Sequence, residues 1–334
     1  MTTRAPAAAP GIEAMSLQQR RHLLDLDDMG FAEITTILDS AEAMREVLHR
    51  SIKKVPSLRG KVVLTLFLEP STRTRVSFEQ AGKMLSADVI NIGGSSSSTE
   101  KGESLLNTAL TLQAMHADIL IIRHEASGAP YFLARSLENT SVVNAGDGRH
   151  AHPTQALLDL LTMRDHLESL AGAKVVIVGD ALHSRVVRSD IFGLVASGAS
   201  VTLSGPPTMI PLDLLNPRGA PSLPGVAVEP DLDTAIVDAD VVMALRIQKE
   251  RQDAGMMPSL REYTRRWQIN EDRMRLAKPG ALIMHPGPMN EGVEITSSLA
   301  HGSAQIEEQV TNGVAVRMAV LYQLLQGSDG GSLT

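Results

Sequence analysis

Short apolar runs alternate with helix-length amphipathic segments along almost the whole chain. "KVVLTLFL" (61–68), "DVINI" (88–92), "DILIIR" (118–123) and "SVVNAG" (141–146) have the length and apolar content of buried strands. Between them, "VSFEQAGKMLSA", "ESLLNTALTLQAM" and "YFLARSLEN" bring apolar residues back at helical spacing. The alternation resumes with "KVVIVGD" (174–180), "ASVTLSG" (199–205), "DVVMALR" (240–246) and "ALIMHPG" (281–287). This pattern predicts an α/β fold: parallel sheet with helices covering both faces.

Eight such strands fit one barrel or two open sheets. The long segment "HPTQALLDLLTMRDHLESLAG" (152–172) separates them into two sets of four, which favours two doubly wound domains with a cleft between them. The expected units are 16–164 and 165–305, hinged near residue 165. A last apolar segment, "QVTNGVAVRMAVLYQLLQ" (309–326), has either unit as a candidate partner; the expectation is that a helix over 306–327 packs back on the first. The Ala/Pro-biased stretch 1–15 and the polar stretch 328–334 read as flexible tails.

Composition narrows the function classes. A chain of 334 residues is long enough for two ordinary cores. Its net charge of −7 argues against a nucleic-acid binder that works through a broad basic surface. An anionic ligand would need a local cluster of positive groups. There is no cysteine, which excludes disulfides, thiolate nucleophiles and zinc–thiolate sites and suits a reducing cytoplasm. No apolar run approaches the ~20 residues needed to span a bilayer, and the first residues lack the apolar core of a secretory signal.

In open α/β sheets ligands bind beyond the carboxyl ends of the strands, and the chemically dense stretches lie there. "EPSTRTRVSFEQ" (69–80) follows the first strand and enters a helix. Ser71, Thr72 and Thr74 offer hydroxyls, Arg73 and Arg75 offer forked cations, and the helix start adds backbone N–H groups: a cradle for an oxyanion such as phosphate. The plainer alternative is an N-cap at Ser71 or Thr72 with two solvated arginines. The polar loop "GGSSSSTEKGES" (93–104) carries one cation, Lys101, and reads as a linker unless it folds over a site. Arg123 closes the third strand, either in a ligand site or as a solvated strand end.

In "GDGRHAHPTQALLDLL", His152 and Gln155 sit at a helix start, with Pro153 at the first helical position. The helix dipole favours a neutral imidazole there, a donor suited to polarising a carbonyl; a capping histidine is the alternative. "VVIVGDALHSRVVRSD" resembles a nucleotide-binding turn but lacks G-x-G-x-x-G, with Ala181 in the second glycine's place, which disfavours a dinucleotide-binding dehydrogenase. Arg185 projects from that turn, Arg246 and Gln248 end another strand, and "MHPGPMNEGVEI" offers turn carbonyls to an amine.

Taken together and in this order, "STRTR", "HPTQALLDL", "RIQKER" and "HPGPMNEGVEI" resemble the aspartate carbamoyltransferase family from about Leu24 to Gln326. "STRTR" alone marks the wider group that includes the ornithine enzymes; the last two segments point to aspartate, since an ornithine enzyme is expected to carry "HCLP" where this chain has "HPGP". The resemblance implies that Ser71, Thr72, Arg73 and Thr74 hold the phosphate of carbamoyl phosphate, and that Thr74, Arg123 and His152 polarise its carbonyl. It implies that Gln155, with the carbonyls of Pro286 and Gly287, receives the carbamoyl amide. Lys101, Arg185, Arg246 and Gln248 then fall on aspartate binders, while Ser97 and Lys101 match loop residues that enter an adjacent subunit's site.

The implied activity is transfer of a carbamoyl group to L-aspartate in pyrimidine synthesis, by a homotrimer, with no metal or cofactor. Further assembly with regulatory or dihydroorotase-type subunits is left open. Two positions depart from the family pattern: Glu291 stands where many relatives have Arg, and Val186 where some have Thr. A non-catalytic anion-binding subunit is disfavoured because Arg73, Arg123 and His152 are all present.

Overall fold

A computed structural model describes residues 20–93, 103–211, 225–247 and 259–329. Among these residues nine strands form two parallel sheets. The first contains β1 (Val62–Phe67), β2 (Asp88–Gly93), β3 (Ile119–His124) and β4 (Ser141–Asp147), in the order β2-β1-β3-β4. The second contains β5 (Lys174–Val178), β6 (Ser200–Ser204), β7 (Val226–Val228), β8 (Val241–Ala244) and β9 (Leu282–Met284), in the order β7-β6-β5-β8-β9. The expectation of two sets of four strands is therefore corrected to four and five. The extra strand, β7, is three residues long and sits at a sheet edge inside "PGVAVEP", too short to show a period.

The helices are α1 (Phe31–Leu48), α2 (Thr72–Met84), α3 (Leu105–Ala114), α4 (Ala129–Ser136), α5 (Pro153–His166), α6 (Arg185–Ala196), α7 (Leu232–Ile236), α8 (Leu260–Trp267), α9 (Glu271–Met274), α10 (Ser297–Gly302) and α11 (Ile306–Asp329). They cover both faces of both sheets. In the first sheet, Val63, Phe67, Ile119 and Ile121 point into one apolar layer, and Leu64, Leu66, Leu120 and Ile122 into another. That is the period-2 alternation of strands buried on both sides.

The apolar layer on one side is continuous from sheet to sheet. It takes in Ile119 and Val143 from the first, Val175, Ile177 and Val201 from the second, and Leu157, Leu160 and Leu161 of α5 between them. Residues Pro153–Met163 of α5 are all buried, so this helix is a shared wall of both halves and not a bare linker. α11 packs against α1, α2 and α5, on the side of the first sheet. The carboxyl ends of β1, β3, β5, β8 and β9 consequently open toward one cleft, which α5 enters by its N-terminus.

Candidate active site

Strand register brings the first residues together. Phe67 pairs with Arg123, and the Leu68 N–H donates to the Arg123 carbonyl at 2.9 Å, so the β1–α2 turn lies beside the end of β3. α2 begins at Thr72, four residues before the apolar pattern would start it, so Arg73, Thr74 and Arg75 belong to its first turn. Ser71 occupies the N-cap position with extended backbone, yet its side chain makes no capping hydrogen bond. The capping alternative therefore falls for Ser71, and its hydroxyl and the turn's N–H groups stand at the cleft.

β4 leads into a loop folded around Asp147. Its carboxylate accepts from Gly128 N at 2.6 Å, Ala151 N at 3.0 Å and Asn144 Nδ2 at 2.8 Å. The loop delivers His152 to the N-cap position of α5, again without a side-chain cap; instead the His152 backbone N–H donates to Ser189 Oγ at 3.0 Å. His152 is 4% exposed, and its Nδ1 is buried without a hydrogen-bond partner among the described residues. Burial, with the guanidiniums of Arg123, Arg317 and Arg185 nearby, holds its pKa well below the usual histidine range. The imidazole is neutral and offers one N–H.

From the second sheet, the β5–α6 turn is folded by Asp180, whose Oδ1 accepts from His183 N at 3.2 Å and meets His183 Nδ1 at 2.8 Å. Ser184 caps α6, and Arg185 is the first helical residue. Arg246 follows β8, and the turn after β9 carries Pro286 and Gly287. The cavity these elements enclose measures about 430 Å³. Ser71, Thr72, Arg73, Thr74, Arg123, His152, Gln155, Arg185, Arg246, Pro286 and Gly287 all line it. Ser97, Lys101 and Gln248 lie outside the described residues.

Four guanidiniums thus face one cavity, and the protein supplies their partners. Arg73 Nη1 donates to the Pro286 carbonyl at 2.8 Å across the cleft, and burial lowers the Arg73 pKa. Glu69 Oε1 accepts from Arg123 Nη2 at 3.0 Å and from Arg185 Nη2 at 2.5 Å, tying β3 to α6. Arg185 Nη1 is buried with no hydrogen-bond partner among the described residues. Gly146, at φ +113°, lets both arginines lie against the chain: a Cβ there would stand 3.0 Å from Arg123 Nη1 and 3.1 Å from Arg185 Cδ.

Glu69 is the wall residue that sequence reasoning missed, although it opens the stretch "EPSTRTR"; a carboxylate in an anion site has no obvious use until two cations are seen to converge on it. Ser184 and Pro288 also line the cavity. Of the departures from the family pattern, Val186 lies on the wall, whereas Glu291 pairs with exposed His301 at the surface.

A cleft between two parallel-sheet lobes, lined by four guanidiniums and a neutral histidine, has the chemistry of a site for anionic small molecules. The chain belongs to the aspartate/ornithine carbamoyltransferase family: the model of its carbamoyl-P binding domain matches residues 21–165, and that of its Asp/Orn binding domain residues 171–324.

The aspartate carbamoyltransferase catalytic subunit of Roseiflexus castenholzii is 55% identical over 318 residues, covering 95% of this chain and 99% of that one. That of Chloroflexus aggregans is 56% identical over 310 residues, covering 92% and 99%. Among solved structures, aspartate transcarbamoylase of Trypanosoma cruzi in complex with carbamoyl phosphate and aspartate aligns with a TM-score of 0.81 at 30% identity, over 93% of this chain and 99% of that one. Ornithine carbamoyltransferase of Pyrococcus furiosus has the same TM-score, 0.81, at 28% identity over 96% and 100%. Backbone shape therefore does not separate the two acceptors; the sequence relatives do.

Proposed function

We propose that this chain is an aspartate carbamoyltransferase, transferring the carbamoyl group of carbamoyl phosphate to the amine of L-aspartate to give N-carbamoyl-L-aspartate and phosphate, in pyrimidine biosynthesis. The observation that carries the reading is the convergence of Arg73, Arg123, Arg185 and Arg246, from four separate elements and both sheets, on one cavity of about 430 Å³. Two anionic substrates side by side account for such a concentration of positive charge in an acidic protein.

The roles are those that the family resemblance carries onto these residues. Ser71, Thr72, Arg73 and Thr74, at the α2 N-terminus, take the phosphate, and Arg73 neutralises the bridging oxygen as the leaving group departs. Thr74, Arg123 and His152 donate to the carbamoyl oxygen, where negative charge builds in the tetrahedral intermediate; such donors are worth roughly 3–4 kcal/mol each in other enzymes. Gln155 and the carbonyls of Pro286 and Gly287 accept from the carbamoyl NH2. Arg185 and Arg246, with Lys101 and Gln248, take the two aspartate carboxylates. The amine lone pair attacks the carbamoyl carbon, the C–N bond forms, and the C–O bond to phosphate breaks. The amine proton leaves with phosphate and not on His152, because burial, and then three nearby guanidiniums, disfavour an imidazolium there. Holding both reactants in attack geometry supplies the other large part of the rate.

In this reading the protein is a cytoplasmic homotrimer, and Ser97 and Lys101 complete the site of an adjacent subunit. The exposed apolar side chains of Ile90 on β2 and Val76 on α2 support an interface on the first lobe. Among the described residues no helix is long and apolar enough to cross a membrane. The test is an acceptor panel: carbamoyl phosphate with aspartate, ornithine or other amines, following phosphate release. Turnover with aspartate alone is expected; preference for ornithine, or no turnover with aspartate, overturns the proposal.

A further inference from the structure

Beneath the cavity lies a buried acid pair that none of these roles uses. Asp159, one turn beyond Gln155 on α5, and Asp190, on α6, are both 0% exposed, and burial together with the nearby charge of Asp159 raises the Asp190 pKa. Two buried carboxyls that feel each other's charge do not both ionise, so one keeps its proton. The surroundings decide which. Asp159 accepts from Gln155 Nε2 at 3.2 and 3.3 Å and from Gln309 Nε2, on α11, at 2.6 Å. Neither Asp190 oxygen meets an N–H or a hydroxyl among the described residues. Arg317 of α11 adds positive charge near Asp159. Asp190 therefore holds the proton, and Asp159 is the carboxylate that accepts from two amides.

We propose that Asp159 is a positioning residue that turns the amides of Gln155 and Gln309, and through them fixes the acceptors that recognise the carbamoyl NH2. The proposal rests on the roles given above to Gln155 and Pro286. An ionised carboxylate only accepts, so Gln155 must present its NH2 to Asp159 and leaves its Oε1 for the cavity. Gln309 is oriented by the same contact: with Nε2 on Asp159, its Oε1 accepts from His285 N at 3.1 Å. The next residue is Pro286, whose carbonyl stands at the cavity and accepts from Arg73. A carbonyl has a second lone pair to give the substrate amide. Both acceptors thus depend on one carboxylate, Gln155 directly and Pro286 through Gln309. Without it, nothing stops the Gln155 amide from turning round, so that NH2 faces NH2.

Acetyl phosphate is the discriminating probe, because a methyl group replaces the amine and everything else is kept. In the full-length protein, the inhibition constant of acetyl phosphate is compared with the KM of carbamoyl phosphate. Asp159→Asn is expected to weaken carbamoyl phosphate about tenfold, the effect of one buried hydrogen-bond set, while acetyl phosphate and inorganic phosphate bind as before. Asp190→Asn, which leaves both amide contacts of Asp159 in place, is expected to keep the wild-type ratio.

An unchanged ratio in Asp159→Asn overturns the proposal, and so does an equal loss for all three anions, which is the mark of a merely structural role. Should Asp159→Asn not fold, Gln309→Met cuts only the branch to His285 and is expected to lower the ratio about threefold; no change there is equally fatal. If the wild-type protein itself does not distinguish carbamoyl from acetyl phosphate, the assigned role of Gln155 fails first and the proposal with it.

Discussion

A single methyl group at Gly287 tests the geometry of the cleft without removing any polar group. The residue sits at φ +58°, a conformation that costs an L-residue roughly 1–2 kcal/mol. A Cβ there would stand 2.0 Å from Arg73 Nη1 and 2.6 Å from Cζ and Nη2. Ordinary contact begins near 3.4 Å, so the guanidinium must retreat by about 1.4 Å. Its side chain is flexible and can do so. The fold then bears the backbone strain plus the lost bond to Pro286, together roughly 2–3 kcal/mol, and survives with a melting temperature several degrees lower. Catalysis suffers more. Displacing a reacting group by about 1 Å costs on the order of 100-fold, and losing one charge-stabilising donor costs about 10²–10³-fold. Gly287→Ala is therefore expected to lower kcat/KM for carbamoyl phosphate by about 10²–10³-fold, close to the effect of Arg73→Ala. The double variant should add little, because both changes act on the same guanidinium. Initial rates of phosphate release at saturating aspartate read all three. Gly287→Ala within about threefold of wild type, or a double variant at the product of the single effects, would refute this account of the cleft.

Gly146→Ala presses on Arg123 and Arg185 together, so KM should rise for carbamoyl phosphate and for aspartate alike; a rise for one alone counts against their shared packing. Because His152 is held neutral, the pH profile of kcat/KM should show no step from this residue near its ordinary 6.5; an inflection there that disappears in His152→Gln contradicts the assignment. His22, pushed down to about 4 chiefly by burial, keeps its proton off in the native state while the unfolded chain takes one up. Stability should therefore decline as pH falls from about 6.5 toward 4, and less so in His22→Gln, as read from urea midpoints. Asp159, pushed up to about 7 by burial, and Asp190, raised by burial and by Asp159 beside it, work in the opposite sense: their contribution is present at low pH and lost as pH rises through about 7. Arg317 opposes that loss from α11, and Gln155 and Gln309 are neutral, so Asp190→Asn should flatten the alkaline side; an unchanged slope would show that the pair does not titrate there.

Much of the architecture was legible because parallel strands buried on both faces leave continuous apolar runs such as "VVLTLF" and "ILIIR". β7 was not, since three residues at an edge carry no period, and the start of α2 was legible from its capping and anion chemistry and not from apolar spacing, because its first turn is polar where it meets the cleft. The site's positive charge was legible only from several stretches together, since each arginine after a strand end could by itself be a solvated end. What surrounds them was hidden. Nothing in the string connects Glu69 with both Arg123 and Arg185, or Asp159 with residues 190 and 309, because those partners become neighbours only when α6 and α11 pack against α5. Local pattern shows which groups bear chemistry, and tertiary packing decides what holds them still.

Glu69 shows why that second level matters for an acidic protein with a cationic cleft. Arg123 belongs to the first sheet and Arg185 to the helix after β5, so in isolation their like charges would push the two halves apart. One carboxylate accepting from both turns that repulsion into a link across the cleft. The link leaves Arg185 Nη1 buried without a hydrogen-bond partner among the described residues, so one carboxylate offsets the two guanidiniums without using every donor they carry. Net charge over the whole surface, −7, is therefore no guide to what the site binds. The field at the cleft is set within a few ångströms, by which carboxylates the fold brings to which guanidiniums.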